Sequence, residues 1–211
     1  FSTYFPEDDP INTVGRNMAS FTDIDLDGDQ DLFVTVLGGT AGIQLNNNFY
    51  YYQNLGNEDE SNYELITNNF FDSIDLLSNS SPTLIDIDND GDLDLFIGQK
   101  VSLDTTPFKG RINLFENIGD NQNPVFDLID DEFLGADLGT DLCPHFGDID
   151  MDDDYDLIIG TYSGNILIYE NIGNKYEFNF IYHSTINTDS NFWFSVPYLY
   201  DFNNDGNLDI I

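Results

Sequence analysis

An acidic phrase that occurs four times, at intervals of 63, 62 and 53 residues, is followed after each complete copy by a second phrase in phase with it, and no stretch shows a long 3.6-residue apolar period. These observations predict an all-β chain with almost no helix. Short antiparallel strands repeated at that interval further predict a partial β-propeller of four-stranded blades. The expected divisions are 1–18 as the end of a preceding blade, 19–71, 72–134 and 135–186 as three full blades, and 187–211 as the start of the next. A sheet of this kind hides its edges by closing into a ring, and this number of blades does not close one. The window therefore reads as a fragment of a longer chain, the rest of the propeller coming from sequence outside it or from a partner.

The copies of the acidic phrase are FTDIDLDGDQDLFV from Phe21, TLIDIDNDGDLDLFIG from Thr83, HFGDIDMDDDYDLIIG from His145 and YLYDFNNDGNLDII from Tyr198. Strand A is the apolar run that enters each loop, and strand B is the run that leaves it, such as Leu95-Phe96-Ile97. Strand B is apolar at consecutive positions, as expected of a strand buried on both faces. Strand C is Ile112-Asn113-Leu114-Phe115 or Ile166-Leu167-Ile168-Tyr169, and the Asn-x-Gly phrase after it reads as a hairpin turn whose Gly supplies a positive φ. Strand D is the aromatic run that follows, in YELITNNFF, PVFDLIDDEF and YEFNFIYHS; Phe1 to Phe5 reads as the same strand of the preceding blade.

The loops carry the chemistry. Oxygen-bearing side chains recur at alternate positions: Asp23, Asp25, Asp27, Asp29 and Asp31; Asp86, Asp88, Asp90, Asp92 and Asp94; Asp148, Asp150, Asp152, Asp154 and Asp156; Asp201, Asn203, Asp205, Asn207 and Asp209. Counted from the first Asp, the first, third, fifth and ninth positions offer side-chain oxygens, the seventh offers its backbone carbonyl, and the sixth is Gly in three of the four loops. Wrapping a cation of Ca²⁺ size needs six to eight oxygens and a sharp turn. Mg²⁺ keeps more of its water, and the loops hold no His or Cys for a transition metal. Two carboxylates about 4 Å apart repel by roughly 4 kcal/mol at an effective dielectric of 20, so four converging groups call for a cation. The loop is not an EF-hand: the twelfth position is Val34, Ile97 or Ile159 instead of Glu. Calcium is therefore the expected cofactor, at up to four sites. The third loop has Asp153 where the others have Gly, and the fourth has Asn203 at the third position.

Composition limits the partners. Forty Asp plus Glu face five Lys plus Arg, a net charge of −35, in a chain that is 40% apolar with 18 Phe and 12 Tyr. The aromatic content excludes a disordered acidic tail, and the charge disfavours nucleic acid and anionic membranes. No apolar run is long enough to span a bilayer, and the single Cys143 forms no internal disulfide.

On the loop motif D-x-D/N-x-D-G-x-x-D, the chain resembles the FG-GAP and VCBS repeat families, whose calcium-loop blades also build integrin α-subunit propellers; the DIDxDGDxDLFIG wording is most similar to the bacterial VCBS type. The Phe-Gly of the family name survives at Phe146-Gly147. The resemblance implies a secreted or cell-surface bacterial protein in which the repeats serve adhesion, or accompany polysaccharide-degrading enzymes. Two functions follow. One is a non-catalytic binding, adhesion or scaffolding module for a protein or glycan at the cell surface. The other is the propeller of a secreted lyase or hydrolase, which needs a cleft of converging His, Arg, Lys or paired carboxylates outside the loops. Nearly half of the acids lie in the loops and bases are scarce, which favours the module. Cys143, His145 and His183 have no partner that spacing suggests, and Trp193 and Tyr50-Tyr51-Tyr52 are candidates for sugar stacking or for core. Lys100, Lys109 and Arg111, between strands B and C of the second blade, are the candidate partner-binding spot, at the end of the blades away from the acidic loops.

Overall fold

The computed structural model describes residues 17–36, 48–57, 60–68, 70, 80–100, 109–121, 123–135, 137–188 and 193–211. The expected strand at Phe1–Phe5 and the first connection between strands B and C, Gly38 to Leu45, lie outside the described residues. Among the described residues every regular element is a strand.

Three four-stranded antiparallel sheets follow one another, each in simple sequential order. The first contains β1 (Met18–Thr22), β2 (Asp31–Thr35), β3 (Phe49–Asn54) and β4 (Tyr63–Thr67). The second contains β5 (Ser81–Ile85), β6 (Asp94–Gly98), β7 (Ile112–Asn117) and β8 (Phe126–Asp130). The third contains β9 (Cys143–Gly147), β10 (Asp156–Gly160), β11 (Ile166–Asn171) and β12 (Phe180–Ile186). A two-stranded sheet, β13 (Leu199–Tyr200) and β14 (Asp209–Ile210), repeats the first half of the pattern. These are propeller-like blades, and the acidic phrase joins the first two strands of each.

The second strand of each full blade is buried along its whole length. Its pleat sends alternate side chains to opposite faces. Leu95 and Ile97 pack with Phe33, Phe49 and Phe115 between the first and second blades. Phe96 points the other way, joining Phe146, Leu157 and Ile159 between the second and third. Ile158 then packs with Leu199 of the two-stranded unit. The core is thus a series of inter-blade layers. A register shift recurs at one place in each pairing of the last two strands, between Tyr51 and Tyr52, Leu114 and Phe115, and Ile168 and Tyr169.

Close backbone approach locks neighbouring blades. A Cβ on Gly98 would lie 2.2 Å from the Leu142 carbonyl oxygen, and one on Gly160 would lie 2.1 Å from that of Ser195. In the first blade the corresponding residue is Thr35, whose hydroxyl donates to the Ser80 carbonyl. The Thr83 hydroxyl likewise donates to the Pro144 carbonyl, 2.7 Å away.

The hairpin glycines correct the expectation from sequence. Gly56, Gly119 and Gly173 are not among the residues with positive φ. They are required by crowding: a Cβ would lie 2.1 Å from the Glu60 carbonyl oxygen, 2.3 Å from that of Asn123 and 2.1 Å from that of Glu177. Each turn folds back on itself around an Asn at the end of the third strand. The Asn54 Oδ1 accepts from Gly56 N–H at 3.1 Å and from Asn62 N–H at 2.7 Å, and Asn117 and Asn171 repeat the pair.

Overpacking such contacts costs typically about 1–3 kcal/mol. Gly98→Ala and Gly160→Ala are each expected to destabilise the chain by about that amount in denaturant unfolding, because the clash is with backbone that cannot rotate away.

Candidate metal centres

The four acidic loops share one backbone conformation. The first Asp accepts N–H groups from the fifth and sixth positions in every copy. Asp23 takes those of Asp27 and Gly28 at 3.0 Å each; Asp86, Asp148 and Asp201 do the same with their own loops. The fifth residue then accepts from the seventh, as in Asp27 with Asp29 N–H at 3.1 Å. The sixth position is left-handed throughout: Gly28, Gly91 and Gly206 have φ of 102°, 100° and 89°, and Asp153 has 72°. The fourth position is left-handed too, with Leu26 at 55°, Asn89 at 57°, Met151 at 66° and Asn204 at 59°. Asn suits that region; Leu and Met do not. The sequence signalled the sixth position through its glycines but not the fourth.

This winding brings carboxylates together. One oxygen each from Asp23, Asp25 and Asp27 lies within 4.8 Å of the others, and Asp86, Asp88 and Asp90 repeat the cluster. In the third loop the grouped residues are Asp148, Asp150 and Asp156. The ninth position has a further task. Asp31 Oδ1 accepts Asn54 N–H at 2.7 Å while Oδ2 accepts Ile24 N–H at 3.4 Å. Asp94 and Asp156 bridge Asn117 with Ile87 and Asn171 with Ile149 in the same way. The ninth Asp thus ties its loop to the third strand of its own blade. The isoleucine at the second position enters the inter-blade layer, Ile24 beside Leu95 and Ile87 beside Phe146.

The seventh position tests the fit of a cation. Asp29 and Asp154 are 5% and 6% exposed, and one oxygen of each is buried with no hydrogen-bond partner; Asp92 Oδ1 is in the same state. Three buried carboxylate oxygens without a donor, beside three carboxylate clusters, form a donor set suited to a hard cation. The sequence reading counts Asp29, Asp92 and Asp154 among the metal-site residues and gives this position a backbone carbonyl as ligand; the structure adds a buried side-chain oxygen. Three more contributors were missed. Gln53 Nε2 donates to Asp25 Oδ2 at 2.8 Å, and the corresponding residues, Glu116 and Glu170, add repulsion to the desolvation and loop carboxylates that raise Asp92 and Asp150. Their signal was the Gln-Asn or Glu-Asn pair, which recurs in phase with the loops.

Burial and mutual repulsion push these carboxyls upward. Burial, more than the surrounding carboxylates, raises Asp31 to about 6 and Asp94 to about 7. Asp92 and Asp154 rise to about 6 by desolvation and then by neighbouring carboxylates, and Asp29, Asp88 and Asp156 move in the same direction.

The other sequence candidates have different surroundings. Lys109 Nζ lies 2.8 Å from Asp137, and Arg111 Nε lies 4.0 Å from Glu132. Two of the three cations in the expected partner-binding spot are therefore balanced by the chain's own carboxylates; Lys100 contributes its carbonyl to Asp141 N–H at 3.0 Å. Cys143 is half-buried, with its thiol pushed up to about 11 by desolvation. His145 packs its ring on Tyr198, and burial lowers its proton affinity. His183 pairs with Glu170 at 3.1 Å. Tyr51 and Tyr52 are core residues, whereas Trp193 is exposed.

Two measurements check this geometry. Asp153→Gly and Met151→Asn each relieve a left-handed residue and are expected to stabilise the chain by roughly 1 kcal/mol in denaturant unfolding. In chelator, the folded state holds protons on Asp31 and Asp94 that the unfolded chain releases above its ordinary value of 3.8. Their contribution to stability is complete below 3.8 and is lost as pH rises through about 6 to 7. The metal-free melting temperature is therefore expected to fall across that window, as followed by circular dichroism.

Residues 148–211, from the first Asp of the third loop through the fourth loop, match the family model of the FG-GAP-like repeat. No curated protein and no solved structure matches the chain. With its succession of four-stranded sheets, the chain is a propeller-type repeat module whose residues 148–211 are similar to an FG-GAP-like repeat.

Proposed function

We propose that this chain is the calcium-stabilised propeller region of a secreted or cell-surface protein, a non-catalytic module that presents a binding surface to a protein or glycan. The observation that carries the calcium reading is the recurrence, in three loops, of a carboxylate cluster beside a buried, partnerless carboxylate oxygen. Calcium, when bound, neutralises those carboxylates. The side chains at the first, third, fifth, seventh and ninth positions would hold it, and the fourth loop offers Asp201, Asn203, Asp205, Asn207 and Asp209 in the same frame. The chain's own residues do the rest: the first Asp winds the loop, the ninth ties it to the third strand, and the isoleucine at the second position carries it into the next blade. Metal binding is thereby coupled to packing. No described helix is long and apolar enough to cross a membrane, and FG-GAP-like repeats are typical of extracellular proteins.

Extracellular calcium modules bind with Kd about 10⁻⁴–10⁻³ M. At ten times Kd each site adds roughly 1.4 kcal/mol, so four sites add on the order of 5–6 kcal/mol. Millimolar calcium is then expected to raise the melting temperature by about 10–20 °C over chelator. An equal melting temperature in calcium and in chelator would refute calcium stabilisation. Lowering pH below about 6 should weaken calcium binding in calorimetry, because the ion must displace the proton that Asp94 holds up to about 7.

A further inference from the structure

Away from the acidic loops, the third blade and the segment that leaves it carry a group of rings that the repeat does not require. Tyr162 lies edge-on to Trp193, with centroids 5.1 Å apart and planes at 74°, and edge-on to Phe194, at 4.6 Å and 82°. Trp193 is 64% exposed and Tyr162 37%. The chain supplies its own control. Phe194 and Ser195 donate their N–H groups to the carbonyls of Tyr162 and Thr161, at 3.0 and 3.1 Å; one blade earlier, Asp141 and Leu142 donate to Lys100 and Gln99, at 3.0 and 3.2 Å. Tyr162, Trp193 and Phe194 therefore stand where the second blade has Lys100, Thr140 and Asp141. The frame is the same and polar residues fill it, so packing of the fold does not explain three aromatics.

The backbone adds a second, independent sign. The frame forces a left-handed residue at this point: Asp141 has φ of 52° and Phe194 has 66°. Asp tolerates that region, and a bulky aromatic does not adopt it without strain. Such strain is retained where the surroundings over-determine it, and it clusters at ligand-binding sites. The surroundings do over-determine it here. The Ser195 hydroxyl donates to the Asn165 carbonyl at 2.7 Å and accepts Thr161 N–H at 3.1 Å.

We propose that Tyr162, Trp193 and Phe194 form a stacking platform for a pyranose ring of a neutral glycan. This rests on the reading of the chain as a binding module and assigns it a site and a ligand class. Charge and size select the ligand. A chain of net charge −35 repels anions, and the hydroxyls that flank Tyr162 in its turn, on Thr161 and Ser163, are uncharged and bond to each other and to the Asn165 carbonyl. Three rings are too few for a protein interface of about 800 Å² per partner. They match one or two sugar rings, whose C–H faces stack on aromatic faces while their hydroxyls meet the polar rim.

Trp193 is the only Trp in the chain, so its emission reports on this site alone. Calcium-loaded protein is titrated with neutral hexaoses of glucose, N-acetylglucosamine and galactose. The expected result is a saturable emission shift with at least one of them, weakened about tenfold or more by Tyr162→Ala. Phe194→Asp copies the second blade, so it should weaken binding while raising the melting temperature; a purely structural Phe194 would lower it instead. Three results overturn the platform: no shift with any hexaose, a shift that both variants leave unchanged, or equal binding of a polyuronate hexaose. If calorimetry still detects hexaose binding in both variants, the module reading survives with its site elsewhere. If no hexaose binds but an apolar peptide shifts the emission, the module binds protein and the platform's glycan assignment falls.

Discussion

The residue on which most of the structure depends is the last aspartate of each acidic loop. Asp31, Asp94 and Asp156 are nearly inaccessible, yet each joins three parts of a blade. One oxygen closes the loop on its second residue, and the other holds the Asn that ends the third strand. That Asn in turn shapes the turn to the fourth strand through its own side-chain oxygen. A carboxylate buried this deeply is costly unless hydrogen-bonded and balanced by positive charge. The N–H groups supply the first requirement, and a cation in the loop would supply the second.

From that bridge the architecture extends in two directions. Along each blade it fixes where the second strand begins, and so which of its side chains face which neighbour. Between blades it places the isoleucine of the loop in the shared layer, beside residues of the next sheet. Loop electrostatics and apolar packing, two forces with different distance dependence and different response to salt, thereby act on the same few residues.

Much of this was legible because the chain repeats. The doubly buried second strand showed in Leu95-Phe96-Ile97, and the loop frame showed in the spacing of Asp and Gly. What was not legible depends on neighbours distant in sequence. The hairpin glycines looked like positive-φ residues, because turns often require them; the structure instead places a carbonyl oxygen against each Cα. Leu26 and Met151 give no local sign of a left-handed backbone, because the loop imposes it on whatever residue stands there. The cations Lys109 and Arg111 looked available because Asp137 and Glu132, their counter-charges, lie more than twenty residues away. Trp193 belongs to no recurring sequence phrase and was distinguishable from a core residue only once its exposure was known.

The alternation of side chains along the second strand sets the unit in which such a chain can change. Each apolar layer is half owned by one sheet and half by the next, as Phe96 and Phe146 show at a centroid distance of 4.5 Å. The energetics are then those of a one-dimensional array, with nearest-neighbour terms and little direct communication beyond them. Duplication or loss of one whole repeat leaves every remaining layer complete, whereas a cut inside a repeat strips one partner from two layers. Sequence drift should follow the same arithmetic, with compensating changes falling on facing residues of adjacent sheets more often than within one sheet.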